Sequence, residues 1–143
     1  MFGSIADFTA DRFSPTRWET AEQKARFAQQ FIKFVEADFS WKKFAEAFYL
    51  RLALTFGHIA HFNRHGFFEA FFGTTEGKVR FLRLTLNWSC PGEPAFTYSD
   101  VERALQSWLQ QNGVLAKYEQ TLRDETEAAQ RAELNRLQKK WHK

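Results

Sequence analysis

The chain has 143 residues and a mass of 16.9 kDa, one domain's worth, with 44% apolar and 26% charged residues. Its formal charge is +3, it holds one cysteine, and no apolar run approaches the ~18 residues a membrane span needs. These values exclude a disordered chain, a collagen-like repeat, a disulfide scaffold and a membrane-spanning helix. Residues 1–10 include Asp7 and lack a basic stretch followed by an apolar one, so no secretory signal is expected. With Cys90 unable to pair within the chain, the expected compartment is the reducing cytoplasm.

Aromatic content sets this chain apart. Seventeen Phe, five Trp and three Tyr outnumber the nineteen Ile, Leu and Val. Phenylalanine must therefore do much of the core filling that leucine usually does, and some aromatics are candidates for surface anchors.

Residues 1–16 read as an irregular arm, because Phe2, Phe8 and Phe13 recur at neither helix nor strand spacing, although their rings can pin it. A first helix is predicted over residues 17–38, with Thr20 and Gln23 at capping-box spacing. Phe27, Phe31, Phe34 and Val35 form its apolar face, and Glu22, Lys24, Arg26, Gln29, Gln30 and Lys33 are assigned to the other side. A second helix is predicted from Ser40 to about residue 63. Its stripe of Trp41, Phe44, Phe48, Leu52, Phe56 and Ile59 is backed by Leu50, Ala53 and Leu54. A helix apolar nearly all round is a buried one, so this segment is expected at the centre of the fold.

Beyond Gly66 the pattern changes. Gly73-Thr74-Thr75-Glu76-Gly77 is a turn signal, and residues 78–88 are rich in Val, Phe, Leu and Thr, with Leu82, Leu84, Leu86 and Trp88 in alternation. An antiparallel hairpin of residues 67–72 with residues 78–88 is predicted, with residues 95–98 as a short third strand; the rival is that residues 67–72 extend the preceding helix. Ser99-Asp100-Val101-Glu102 then opens a third helix as a capping box, with Val101, Leu105, Trp108 and Leu109 facing inward and Asn112-Gly113 ending it.

Residues 114–143 contain no Gly or Pro, with acids early and bases late, and are predicted to be helical throughout. Leu115, Tyr118 and Leu122 can pack on the body. Residues 123–133 carry no large apolar side chain, which makes a polar shaft of about 16 Å. Leu134, Leu137 and Trp141 then return at i, i+3 and i+7, the spacing of helix-in-groove anchors. The expected architecture is α+β: three to four helices, the second central, a small hairpin or three-stranded sheet, and a long C-terminal helix. The expected parts are an arm (1–16), a compact body (17–113) and a helical extension (114–143).

Chemistry-bearing motifs are few. His58, His61 and His65 stand at i, i+3 and i+7, a spacing that can hold zinc, but no HExxH accompanies them and they rank as weak candidates. Nothing beside Cys90 in sequence would lower its pKa, and there is no phosphate-binding glycine loop or GxSxG. No cofactor and no enzymatic activity are expected. Two basic groups are candidates for contact with nucleic acid or an acidic surface: Lys78, Arg80 and Arg83, and the terminal Arg136, Lys139 and Lys143. Leu134, Leu137, Lys140 and Trp141 are the candidate partner-binding residues.

The expected function is a non-enzymatic adaptor or inhibitor acting by protein contact, of the kind mobile elements carry against host nucleic-acid-targeting systems, anti-CRISPR proteins among them. That likeness is one of size and composition. Direct nucleic-acid binding is the alternative, and a histidine-based metal enzyme a remoter one. Two tails could also pair antiparallel and make a homo-oligomer. No membrane partner is expected.

Overall fold

A computed structural model describes residues 2–56, 63–89 and 92–141. Among these residues the fold is all-helical, 74% helix with no strand, which overturns the α+β expectation. Six α-helices form it: α1 (Ala21–Glu36), α2 (Glu46–Thr55), α3 (Arg64–Phe72), α4 (Thr75–Asn87), α5 (Ser99–Gln111) and α6 (Val114–Trp141).

The expected hairpin is a pair of helices. Residues 67–72 lie in α3 and residues 78–87 in α4. The turn signal between them is genuine, but it starts a helix: the Thr74 hydroxyl accepts a hydrogen bond from Gly77 N at 3.0 Å and caps α4. A Cβ on Gly77 would stand 2.7 Å from the Phe71 carbonyl oxygen, so the missing side chain permits the close corner. The alternation of Leu82, Leu84 and Leu86 misleads because their burial does not follow it. Leu82 is buried and Leu84 exposed, while Val79, Leu82 and Thr85, at i, i+3 and i+6, all face the core. The expected third strand is also absent, since residues 95–98 form a turn before α5.

The centre of the fold is α1, which packs against α2, α5 and both flanking one-turn segments, Ala10–Arg12 and Trp41–Lys43. Its predicted capping box is present: Thr20 Oγ1 accepts from Gln23 N at 3.1 Å, and Gln23 Oε1 accepts from Thr20 N at 2.7 Å. The segment expected to be the central helix is broken. Residues 41–43 make one 3-10 turn and Ala45 is extended, so α2 begins only at Glu46. Phe44, Phe48, Leu52 and Phe56 are buried, while Leu50 and Leu54 lie in solvent, which makes α2 a surface helix.

Phenylalanine supplies the core. Phe34 sits among Phe39, Phe44, Phe48 and Phe72, with ring centroids 5.1–5.4 Å away, and Phe81 closes on Phe72 at 4.9 Å. The arm is pinned in the same manner: Phe8 and Phe13 are buried, and Phe2 lies 4.9 Å from Phe8. The third helix starts differently from its predicted box. Tyr98 takes the cap position, and Asp100 is occupied elsewhere, accepting from Ser14 N and from Lys24.

Between α1 and the Trp41 turn, Asp38 and Phe39 both adopt left-handed backbone conformations, φ 58° and 57°. The turn directs Phe39 into the core and Asp38 onto α6. Asp38 Oδ1 accepts from the Tyr118 hydroxyl at 2.6 Å and from Lys78 Nζ at 3.1 Å. Burial works to raise the Asp38 carboxyl, but the hydrogen bonds from Tyr118 and Lys78 and the charges of Lys78 and Lys117 outweigh it and hold it below its ordinary value. Burial first, then the bond to Asp38, push the Tyr118 hydroxyl far up.

The carboxyl's lowered pKa gives a stability contribution that is complete above 3.8 and lost as the pH falls below that value. The tyrosine's raised pKa gives one that is complete below 10.0 and lost as the pH rises above it. Asp38→Asn keeps the tolerance for a left-handed turn and removes the charge. It is expected to cost about 0.5–1.5 kcal/mol at neutral pH and to flatten the acid limb of stability against pH in urea titrations. An unchanged acid limb would dismiss the role given to this carboxylate.

Candidate functional site

The first three turns of α6 lie antiparallel on α4. Arg83 Nη2 meets Glu119 Oε2 at 2.7 Å, and the Thr75 hydroxyl donates to Glu125 Oε1 at 2.9 Å. Val114 and Tyr118 are buried and Leu122 half-buried; beyond it, every described residue of the helix, 123–141, is exposed. Past the Glu125 contact, residues 126–141 make a free rod of about 24 Å at 1.5 Å per residue. Leu134, Leu137 and Trp141 sit near its end, 55%, 37% and 79% exposed. Their stripe lies roughly a third of the way around the helix from the face of Leu115, Tyr118 and Leu122, taking 100° per residue. The apolar tip therefore does not continue the face that packs on its own body.

The other predicted contact residues are distributed as follows. Lys78 and Arg80 stand on α4 and not on a strand; Lys78 is drawn into the Asp38 cluster, and Arg80 Nη2 donates to the Ala70 carbonyl at 2.9 Å, closing the end of α3. Arg83 is taken by Glu119. Arg136 forks onto Glu133, with contacts of 2.6 and 3.1 Å. Lys139 and Lys140 are exposed beside the apolar tip. Lys143 falls outside the described residues, as do His58, His61 and Cys90. His65 is exposed, its Nε2 3.0 Å from Glu69 Oε1 and its ring edge-on to Trp41. Among the described residues no group of His, Cys, Asp or Glu could hold a metal ion, and no helix is long and apolar enough to cross a membrane.

A second surface has no trace in the sequence reading. Trp18, Leu54 and Phe96, from three separate segments, wall a cleft of about 400 Å³ over buried Tyr98. Trp18 and Phe96 are 76% and 72% exposed. The Glu19 carboxylate at its edge pairs with Arg51 at 3.3 Å. Burial, then the charge of Glu19, push the Tyr98 hydroxyl up to about 12, so it stays protonated.

The cleft wall is held from beneath. Lys24 is fully buried, and its Nζ donates to the carbonyls of Pro94 and Thr97, both at 2.8 Å, and to Asp100 Oδ1 at 2.9 Å. The ammonium thus fixes the loop that presents Phe96. Its position was the available signal: Lys24, Phe27, Ala28 and Phe31 share the buried face of α1, a register that a solvent-facing lysine would not occupy.

No protein-family model matches the chain, and neither a curated protein nor a solved structure is significantly similar to it.

Proposed function

We propose that the chain is a small non-enzymatic binding protein, an adaptor or inhibitor that grips another protein with the distal half of α6. One observation carries this reading: 19 consecutive exposed residues end in Leu134, Leu137 and Trp141, on a helix whose base is anchored to the body. The base needs no refolding to present the tip, so docking loses little entropy. In its specific form, the target is a component of a host nucleic-acid-targeting system; that form rests on size and composition.

The test is capture of partners by tagged protein from the source cell, with and without nuclease. Leu134→Asp combined with Trp141→Ala is expected to abolish capture and leave the melting temperature within about 2 °C, since both side chains are exposed. Capture that survives the double variant sinks the proposal. The alternative of direct nucleic-acid binding draws on Lys139 and Lys140 beside Trp141. It predicts nuclease-sensitive capture and, for Lys140→Glu, a salt dependence shallower by roughly one contact. A dimer lost on truncation after Glu133 would instead assign the tip to a second copy.

A further inference from the structure

The cleft of Trp18, Leu54 and Phe96 is one end of a longer groove between α1 and α2. Two further depressions, of about 150 and 270 Å³, share Gln30 and Arg51, and the Glu19–Arg51 pair joins them to the cleft. Arg26, Lys33 and Lys43 line these depressions, and all three are exposed. Among the described residues none of their side chains is engaged by a carboxylate, whereas the nearby Glu46 is occupied by Arg64 at 3.3 Å. On the α2 side, Ala47, Phe48 and Arg51 line the larger depression and the exposed Leu54 lines the cleft. The groove therefore has cations along its α1 side and an apolar end made by Leu54, Trp18 and Phe96.

We infer that this groove binds an acidic segment of a partner protein whose apolar side chains cover Leu54, Trp18 and Phe96 while its carboxylates face Arg26, Lys33 and Lys43. Charge selects the occupant. The chain's own α6 tip is excluded, because Lys140 and Arg131 border its apolar stripe on either side, taking 100° per residue, and would bring cations onto cations. A nucleic-acid strand would satisfy the cations, but the aromatic end on which bases could stack is lined by the Glu19 carboxylate and, among the described residues, by no lysine or arginine, so phosphates would have no cation there. The surface is separate from the α6 tip and adds to the docking reading a class of partner: one that is acidic.

Three labelled probes test this by fluorescence anisotropy: a helical peptide of Glu and Leu in heptads, its counterpart with Lys for Glu, and an oligothymidine. The Glu/Leu peptide is expected to bind at least about tenfold more tightly than the other two, a difference a few complementary charges supply. Arg26→Glu with Lys33→Glu should weaken it about tenfold or more and reduce its salt dependence. Trp18→Ala with Phe96→Ala should do the same without the change in salt dependence; these side chains are exposed, so the fold is retained. Trp141→Ala should leave affinity within about twofold, which separates this groove from the α6 tip.

Absence of Glu/Leu peptide binding, or binding indifferent to both double variants, overturns the inference. Tighter binding of oligothymidine overturns it in favour of a nucleic-acid groove. Capture of a partner through the α6 tip can survive any of these outcomes, so the two readings fail separately.

Discussion

Lys24→Met is expected to destabilise the protein by about 3–5 kcal/mol, a large share of the ~5–15 kcal/mol that holds a domain of this size. The ammonium is fully buried and supplies three hydrogen bonds, to Pro94 O, Thr97 O and Asp100 Oδ1. Methionine fills the same volume but donates nothing, leaving a largely buried carboxylate without its cation and two carbonyls without their donor. Asp100 keeps its bonds from Ser14 N and Val101 N, so the penalty stops short of a bare buried charge. Adding Asp100→Asn should therefore recover part of the loss, since the second change removes the orphaned charge. Urea unfolding of the four proteins closes the cycle. A single variant that loses less than about 1 kcal/mol would falsify the account of Lys24 as the clamp. The clamp also has a functional consequence: with the loop at 94–97 released, Phe96 no longer holds its place in the cleft wall, and Glu/Leu peptide affinity should fall even where the protein remains folded.

What the sequence reveals depends on the range of the interaction. The α1 cap was legible because Thr20 and Gln23 are three residues apart and satisfy one another. The exposed α6 tip was legible for a similar reason: eleven residues without a large apolar side chain, in a segment free of Gly and Pro, have nothing to pack with. The sheet was misread because Val79, Phe81 and Thr85 favour strands by composition, and only packing against α3 and α6 decides otherwise. At Gly73 to Gly77 the local signal was correct about the break and silent about what flanks it. The break at Ala45 had no local signal, and without it a stripe from Trp41 to Phe56 looks like one helix.

The groove was invisible for the opposite reason. Trp18, Leu54 and Phe96 share no periodicity, and Lys33 and Lys43 line one depression only because the Trp41–Lys43 turn folds back against α1. Each of these residues alone reads as ordinary surface. Their juxtaposition is a property of topology, and topology here depends on where two helices end.

Phe34→Ala should cost about 3–5 kcal/mol, comparable with the loss of Lys24 and of a different physical kind. Phe34 is fully buried and meets four other rings, two of them edge-on: Phe39 at 85° and Phe72 at 79°. Alanine leaves a cavity lined by rings that are themselves fixed from other directions, so collapse around it is limited and the penalty belongs at the upper end. Phe34→Leu separates volume from ring geometry. It retains most of the apolar area but forfeits the edge-to-face contacts, and should cost about 1–2 kcal/mol. If alanine and leucine prove equally costly, ring geometry outweighs volume at this site. If alanine costs less than about 1.5 kcal/mol, the aromatic cluster is looser than its spacings imply. Neither substitution touches the exposed α6 tip, so the surviving folded fraction should still capture a partner. Stability in this chain is concentrated in the rings around α1, while its candidate docking surfaces lie on side chains whose removal leaves that core intact.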